Sequence, residues 1–239
     1  MRKSVKVAFF FIGAAVLFLL LQYKFIPKDS FNAWSLPLSG KIIYLDPGHG
    51  GPDGGAGDSE ALEKDIALDV SLKLRDYLQE QGALVLMTRE TDNDLAGSGV
   101  KGYSRRKTED LHQRVKLVNE SKADLVISIH LNAIPSPRWS GAQTFYTPHY
   151  AANKRAATFI QAELVETLEN TDRKAKIIEN VYLLKKSKKP SALVEIGFLS
   201  NPTERENLLL DTYQDKVAFS IYKGITRYFT EEPSLESDM

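Results

Sequence analysis

Ile42-Ile43-Tyr44-Leu45-Asp46-Pro47-Gly48-His49-Gly50-Gly51 is the stretch on which the fold turns. Four consecutive apolar residues halted by Asp-Pro-Gly read as a short buried strand with a loop at its carboxyl end. Further on the period changes. Between Glu63 and Gln81 the apolar residues Ile66, Ala67, Val70, Leu74, Tyr77 and Leu78 recur every three or four positions, and Gly82 follows as a stop. This spacing predicts an amphipathic helix with one face on a core.

Downstream the alternation continues. Strands are expected at 83–87, 125–129 and 142–146, near 181–184, and at 192–196, the last as a buried strand. Helices are expected around Leu111, Val115 and Val118, from about 151 to 169, after Pro202 and after Tyr213. Asn201-Pro202 suits an N-cap and first turn. Strand and helix alternate, so the class is α/β. Two stretches break the pattern: 91–109, rich in glycine and charge, is a candidate substrate-facing loop, and 230–239 reads as an acidic disordered tail.

Upstream, Arg2, Lys3 and Lys6 precede an uncharged run over residues 7–21. A basic flank of this kind predicts a cytoplasmic N-terminus. Fifteen helical residues reach about 22 Å, short of the roughly 30 Å hydrocarbon core, so residues 23–26 are needed to complete a span, with Lys24 at the interface. Residues 22–34 carry no small-residue cleavage pattern, which favours an uncleaved anchor over secretion after signal cleavage. The expected organisation is a cytoplasmic basic segment (1–6), a membrane-anchor helix (7–26), a spacer (27–39), one folded domain (40–229) lying outside the cell membrane, and the tail (230–239).

Composition narrows the function. The 239 residues are 43% hydrophobic, enough for one full core, and Lys plus Arg equals Asp plus Glu at 31 each. Three of the cations sit in the first six residues, so the remainder is slightly acidic and nucleic acid is excluded as an expected partner. With no cysteine, disulfides, thiolate metal sites and cysteine nucleophiles are all excluded. No G-x-S-x-G elbow and no H-E-x-x-H helix occurs.

Four residues stand out. His49 follows one strand within a glycine-rich turn, and His130 ends another in Ser128-Ile129-His130-Leu131-Asn132. In α/β sheets ligands gather at the carboxyl ends of strands, which makes the two histidines plausible neighbours. Alone, each has the bland reading of a hydrogen-bonded structural residue. Glu195 lies inside the apolar run Ala192-Leu193-Val194-Glu195-Ile196, where an unpaired charge is costly; a buried salt bridge and a proton- or metal-handling role both fit. Glu63 at a helix start could simply favour the helix dipole.

Asp46–Gly51, Glu63-Lys64-Asp65, Ser128–Ala133 and Leu193–Asn201 together resemble, in order and spacing, the zinc-dependent N-acetylmuramoyl-L-alanine amidases of the Amidase_3 type. The resemblance covers residues 41–229. It implies a single domain with a mostly parallel twisted sheet flanked by helices, one zinc ion bound by His49, Glu63 and His130, and Glu195 as the catalytic carboxylate. A three-ligand set leaves a tetrahedral position open, as catalytic zinc requires. Asp46 and Asn132 are candidates to orient the imidazoles. His112, on a charged helix, and His149, in a loop, are set aside as exposed, and Lys185, Lys186, Lys188 and Lys189 read as a solvated loop.

Within the family, an N-terminal anchor, a lone catalytic domain, Ser39–Asp46 and Lys101–Arg106 resemble the sporulation amidases. That implies a peptidoglycan substrate with stem peptides in the spore cortex, the first step toward muramic δ-lactam, and a separate deacetylase acting downstream. The alternatives are a zinc endopeptidase cutting within the stem peptide and a noncatalytic wall-binding scaffold.

Overall fold

The computed structural model describes Val7 and residues 9–18, 36–132 and 134–231. The chain divides into two units, Met1–Leu36 and Pro37–Met239. In the first, residues 9–18 are helical (α1). Among the described residues no helix is long and apolar enough to cross a membrane. Residues 1–6 and 19–26 of the expected basic segment and anchor, most of the spacer, and the tail beyond Glu231 lie outside the described residues.

The second unit runs β1 (Ile42–Pro47), β2 (Gly57–Asp58), β3 (Ala61–Leu62), α2 (Glu63–Glu80), β4 (Leu84–Met87), α3 (Tyr103–Glu120), β5 (Leu125–Asn132), β6 (Gln143–Tyr146), α4 (Ala151–Leu168), β7 (Lys176–Ile177), α5 (Tyr182–Lys186), β8 (Ser191–Phe198), α6 (Pro202–Leu208) and α7 (Asp211–Thr230). Six strands form one sheet in the order β4-β1-β5-β8-β6-β7, and β2 and β3 form a separate hairpin. The pairs β1/β4, β1/β5, β5/β8 and β6/β7 are parallel, and β6/β8 is antiparallel. The expected mostly parallel sheet is therefore a mixed one. Only a short, helix-free link joins Asn132 to Gln143, whereas a parallel return needs a crossover of a dozen or more residues.

Strand alternation splits the core in two. On one face Ile43, Leu45, Ile127, Ile129 and Val194 pack with α2, α4 and α7, through Ile66, Val70, Leu74, Ile160 and Ile221. On the other, Tyr44, Val126 and Leu193 pack with Val118 of α3 and Leu183 and Leu184 of α5. Near the carboxyl ends of β5 and β8 this cover leaves a cavity, lined by Lys107 and Leu111 of α3 and by Tyr182 and Leu183 of α5. The ends are left accessible on this face, and the candidate site lies there.

Three further sequence expectations shift. Residues 181–184 form not a strand but the start of α5, where Lys185 N–H donates to Val181 O at 3.0 Å and adjacent Leu183 and Leu184 are both buried. A four-residue apolar run suits either element. The strand of this region is the exposed edge β7. The irregular segment shortens to 91–102, because α3 starts at Tyr103. Its first turns are polar and held by charge, with the Arg106 guanidinium donating to both Asp94 oxygens. Leu38, assigned to the spacer, is fully buried and donates its N–H to Gln81 O at 3.0 Å, so packing of the folded unit begins ahead of residue 40.

Candidate metal centre

Three of the four singled-out residues converge on one point. His49 Nε2 lies 3.2 Å from Glu63 Oε1, and His130 Nδ1 lies 2.9 Å from the same oxygen. The two rings meet edge to face at 76°, with centroids 5.1 Å apart. Among the described residues this is the one group of three or more His, Cys, Asp or Glu side chains whose donor atoms gather closely enough to hold a metal ion, all within 4.8 Å of one another.

Each side chain arrives by a different device. His130 stands near the carboxyl end of β5, and its imidazole lies across Gly48, where a β-carbon would come 2.5–2.8 Å from the ring atoms. A side chain at position 48 would therefore push the imidazole away. His49 adopts a left-handed backbone, φ 59°, rare outside glycine, which turns it back over the sheet end. Glu63 opens α2 and is buried; its Oε2 accepts from Ala56 N at 2.8 Å and its Oε1 from Leu131 N at 3.0 Å. Gly55, φ 70°, lets the loop pass, since a β-carbon there would sit 2.6 Å from Glu63 Oε2 and 2.8 Å from His49 Cδ2.

Glu195 is set beside this cluster. It pairs in register with His130 across β5/β8, which puts both side chains on one sheet face. Its Oε2 is buried and has no hydrogen-bond partner. Burial, reinforced by the Glu63 charge and opposed by His130 and His49, pushes its carboxyl up to about 7. A cavity of about 180 Å³ opens over His49, His130 and Glu195, walled by Tyr182, Leu183 and Leu193.

Asp46 and Asn132 do not orient the imidazoles. Asp46 Oδ1 accepts from Thr88 Oγ1 and Arg114 Nη1, both at 2.8 Å, and Oδ2 from Ser128 Oγ at 2.6 Å. Asn132 contributes its backbone carbonyl, which accepts from Leu199 N. The partner of His49 is instead Asp53, whose Oδ2 lies 2.9 Å from Nδ1. Asp53 is itself held by Tyr103 Oη at 2.8 Å and Lys107 Nζ at 3.0 Å. In the sequence Pro52-Asp53-Gly54 has the composition of a turn, and the one signal of Asp53 is its place four residues after His49.

Two arginines were also missed. Arg114 is buried, ion-paired with Asp46 and Asp110, and donates to Pro47 O and His49 O. Arg89 donates to Pro47 O, Gly48 O and Lys64 O. Together they fix the backbone that carries His49. His112 and His149 are exposed, as expected.

The donor set fits a catalytic divalent ion. It consists of two imidazole nitrogens and one carboxylate oxygen, with a carboxylate holding the far nitrogen of one imidazole. Without a cation among them the carboxylates keep a proton on His49: burial alone would lower its pKa, but hydrogen bonds to Asp53 and Glu63 raise it to about 9. Hydrogen bonds to His130 and His49 hold Glu63 far below the carboxylate range despite its burial. Asp53→Asn is expected to weaken metal binding about 10–100-fold while leaving the fold intact; competition with a chromophoric chelator measures it, and an unchanged affinity would remove Asp53 from the site.

Residues 43–227 match the Amidase_3 family, described as N-acetylmuramoyl-L-alanine amidase. The chain belongs to this family. As an N-acetylmuramoyl-L-alanine amidase it is 63% identical, over 97% of its length and 98% of the relative's, to the germination-specific N-acetylmuramoyl-L-alanine amidase of Bacillus subtilis (strain 168). Its fold is similar to that of the CwlD amidase from Clostridioides difficile, solved in complex with the GerS lipoprotein. The TM-score is 0.78 at 40% identity, covering 80% of this chain and all of that one. An N-acetylmuramoyl-L-alanine amidase from Clostridium difficile 630 matches with a TM-score of 0.71 at 30% identity, covering 81% and 98%. The amidase match starts at the first strand and ends inside the last helix, so it takes in every residue of the cluster.

Proposed function

We propose that this amidase is zinc-dependent, that His49, Glu63 and His130 hold the ion, and that it cleaves the amide between N-acetylmuramic acid and L-alanine in spore-cortex peptidoglycan. The observation that carries the reading is Glu195, a buried carboxylate oxygen without a partner, set one strand over from a three-donor cluster. Bound zinc supplies Lewis acidity toward an amide carbonyl and toward water. Glu195 accepts the proton of the attacking water at Oε2 and delivers it to the departing amine nitrogen, which leaves poorly unless protonated. Tyr182, Leu183 and Leu193 narrow the space around that carboxylate and limit its hydration. The raised pKa suits a group that must both take and give a proton near neutrality.

The place in the wall rests on the germination-specific relative and on the sporulation-type sequence features. The product, muramic acid stripped of its peptide, is what a downstream deacetylase would need to complete a δ-lactam. Residues 7–26 anchor the chain in the cell membrane with the catalytic unit outside. Mass spectrometry of digested peptidoglycan tests the bond assignment: free stem peptides with unsubstituted muramic acid are expected, and shortened peptides would instead make the chain an endopeptidase.

Metal binding also carries a pH signature. The proton that His49 holds up to about pH 9 must leave, so apparent zinc affinity rises with pH below that value, by about tenfold per unit for a single proton. Calorimetric titration at pH 7 in two buffers of different ionisation enthalpy is expected to register proton release; equal heats in both would contradict it.

A further inference from the structure

The catalytic face does not end at Glu195. Gln143 of β6 stands directly opposite Glu195 in the antiparallel pair, so its side chain continues the same face outward. Beyond it an open groove of about 610 Å³ runs over β6 and β7. Asn132 and Phe198 form its inner end, Ile134 and Trp139 an apolar flank that is 41% and 45% exposed, and Arg173, Lys174 and Lys176 its outer wall. Among the described residues no Asp or Glu lines it. The smaller cavity on the β5 side of Glu195 carries Asp46, Asp53 and Asp110, whose charges are already paired with Arg114 and Lys107.

The basic wall is held in place. Gln143 Nε2 donates to Lys174 O at 3.0 Å, the Arg173 guanidinium donates to Ser140 O and Gly141 O, and it lies 5.3 Å over the Phe198 ring. Lys174 and Lys176 are exposed, and among the described residues no carboxylate pairs with either.

Resting on the amidase reading above, we infer that this groove seats the peptide half of the substrate, with Lys174 and Lys176 binding its free carboxylates and Trp139 and Ile134 flanking its apolar atoms. An amide cleaved at Glu195 has one half on either side of the carboxylate. The glycan half is uncharged, whereas the peptide half carries several carboxylates; a groove with cations and no acid complements only the latter. The glycan half then lies toward the cavity walled by Tyr182.

The test is calorimetric binding of the tripeptide L-alanyl-γ-D-glutamyl-diaminopimelate, and of the same peptide with its side carboxylates amidated, to the full-length zinc-loaded enzyme. The parent is expected to prefer the carboxylate form. The Lys174→Gln/Lys176→Gln variant should bind that form about fivefold more weakly, as for two exposed charge pairs, and lose both the preference and the salt dependence. A parent indifferent to amidation, or a variant that binds both peptides as the parent does, overturns the assignment. A parent that discriminates between the peptides yet releases no stem peptide from peptidoglycan supports the groove and sinks the amidase bond assignment, so the two failures are distinguishable.

Discussion

Glu195→Gln is expected to lower kcat for stem-peptide release by about 10²–10⁴-fold while zinc content stays at the parental level. The amide keeps the shape of the side chain and removes its ability to carry a proton. Glu195 donates to and accepts from no ligand residue, so the cluster of His49, Glu63 and His130 survives the change. The active form is the carboxylate, so kcat/KM of the parent should rise with pH along a limb lying above the ordinary carboxyl range, because burial raises this group. That limb should vanish from any residual activity of the variant.

Stability supplies a second readout with a definite sign. A carboxyl raised in the folded protein favours the neutral state, so its contribution is fully present below the unfolded pKa and is lost as pH rises through about 7. Metal-free Glu195→Gln should therefore match the parent's melting temperature at pH 4 and exceed it at pH 8. A variant retaining a tenth or more of parental kcat would show that another group moves the proton.

Arg114→Met is expected to destabilise the metal-free fold by about 3–5 kcal/mol in urea unfolding, the range found when a buried ion pair loses one partner. The guanidinium satisfies two buried carboxylates, Asp46 and Asp110, together with the carbonyls of Pro47 and His49. Methionine fills the space but leaves both acids uncompensated. Zinc affinity should fall as well, because the backbone of residues 47–49 loses a clamp. The weaker control is Lys73→Met, which removes an ion pair to the exposed Asp211 and should cost no more than about 1 kcal/mol. Equal losses in the two variants would mean that the buried network does not hold the site loop.

The contrast between these residues explains what the sequence could and could not reveal. The buried strands β1, β5 and β8 and the helix α2 are written locally, as apolar runs and three-four spacing, and the parallel strands carry His49, His130 and Glu195 to one end of the sheet. Glu63 is ambiguous on a helix start and becomes a donor only when Gly55 and the β2/β3 hairpin bring it under His49. Asp53, Arg89 and Arg114 act across turns or between distant segments, and polar side chains leave no periodic trace. Tyr182–Lys186 and Lys176–Ile177 are too short for periodicity to separate helix from strand. The reversed direction of β6 follows from the length of a connection, not from the residues of the strand itself.

At the centre of the proposed site is a metal held by three side chains. Elemental analysis of the purified enzyme and of His130→Ala, with folding of both verified by circular dichroism, measures this directly. About one zinc per chain in the parent and roughly a tenth of that or less in the variant is expected, since two protein donors rarely retain the ion. A parent without stoichiometric metal, or a folded variant that keeps it, would contradict the site described above.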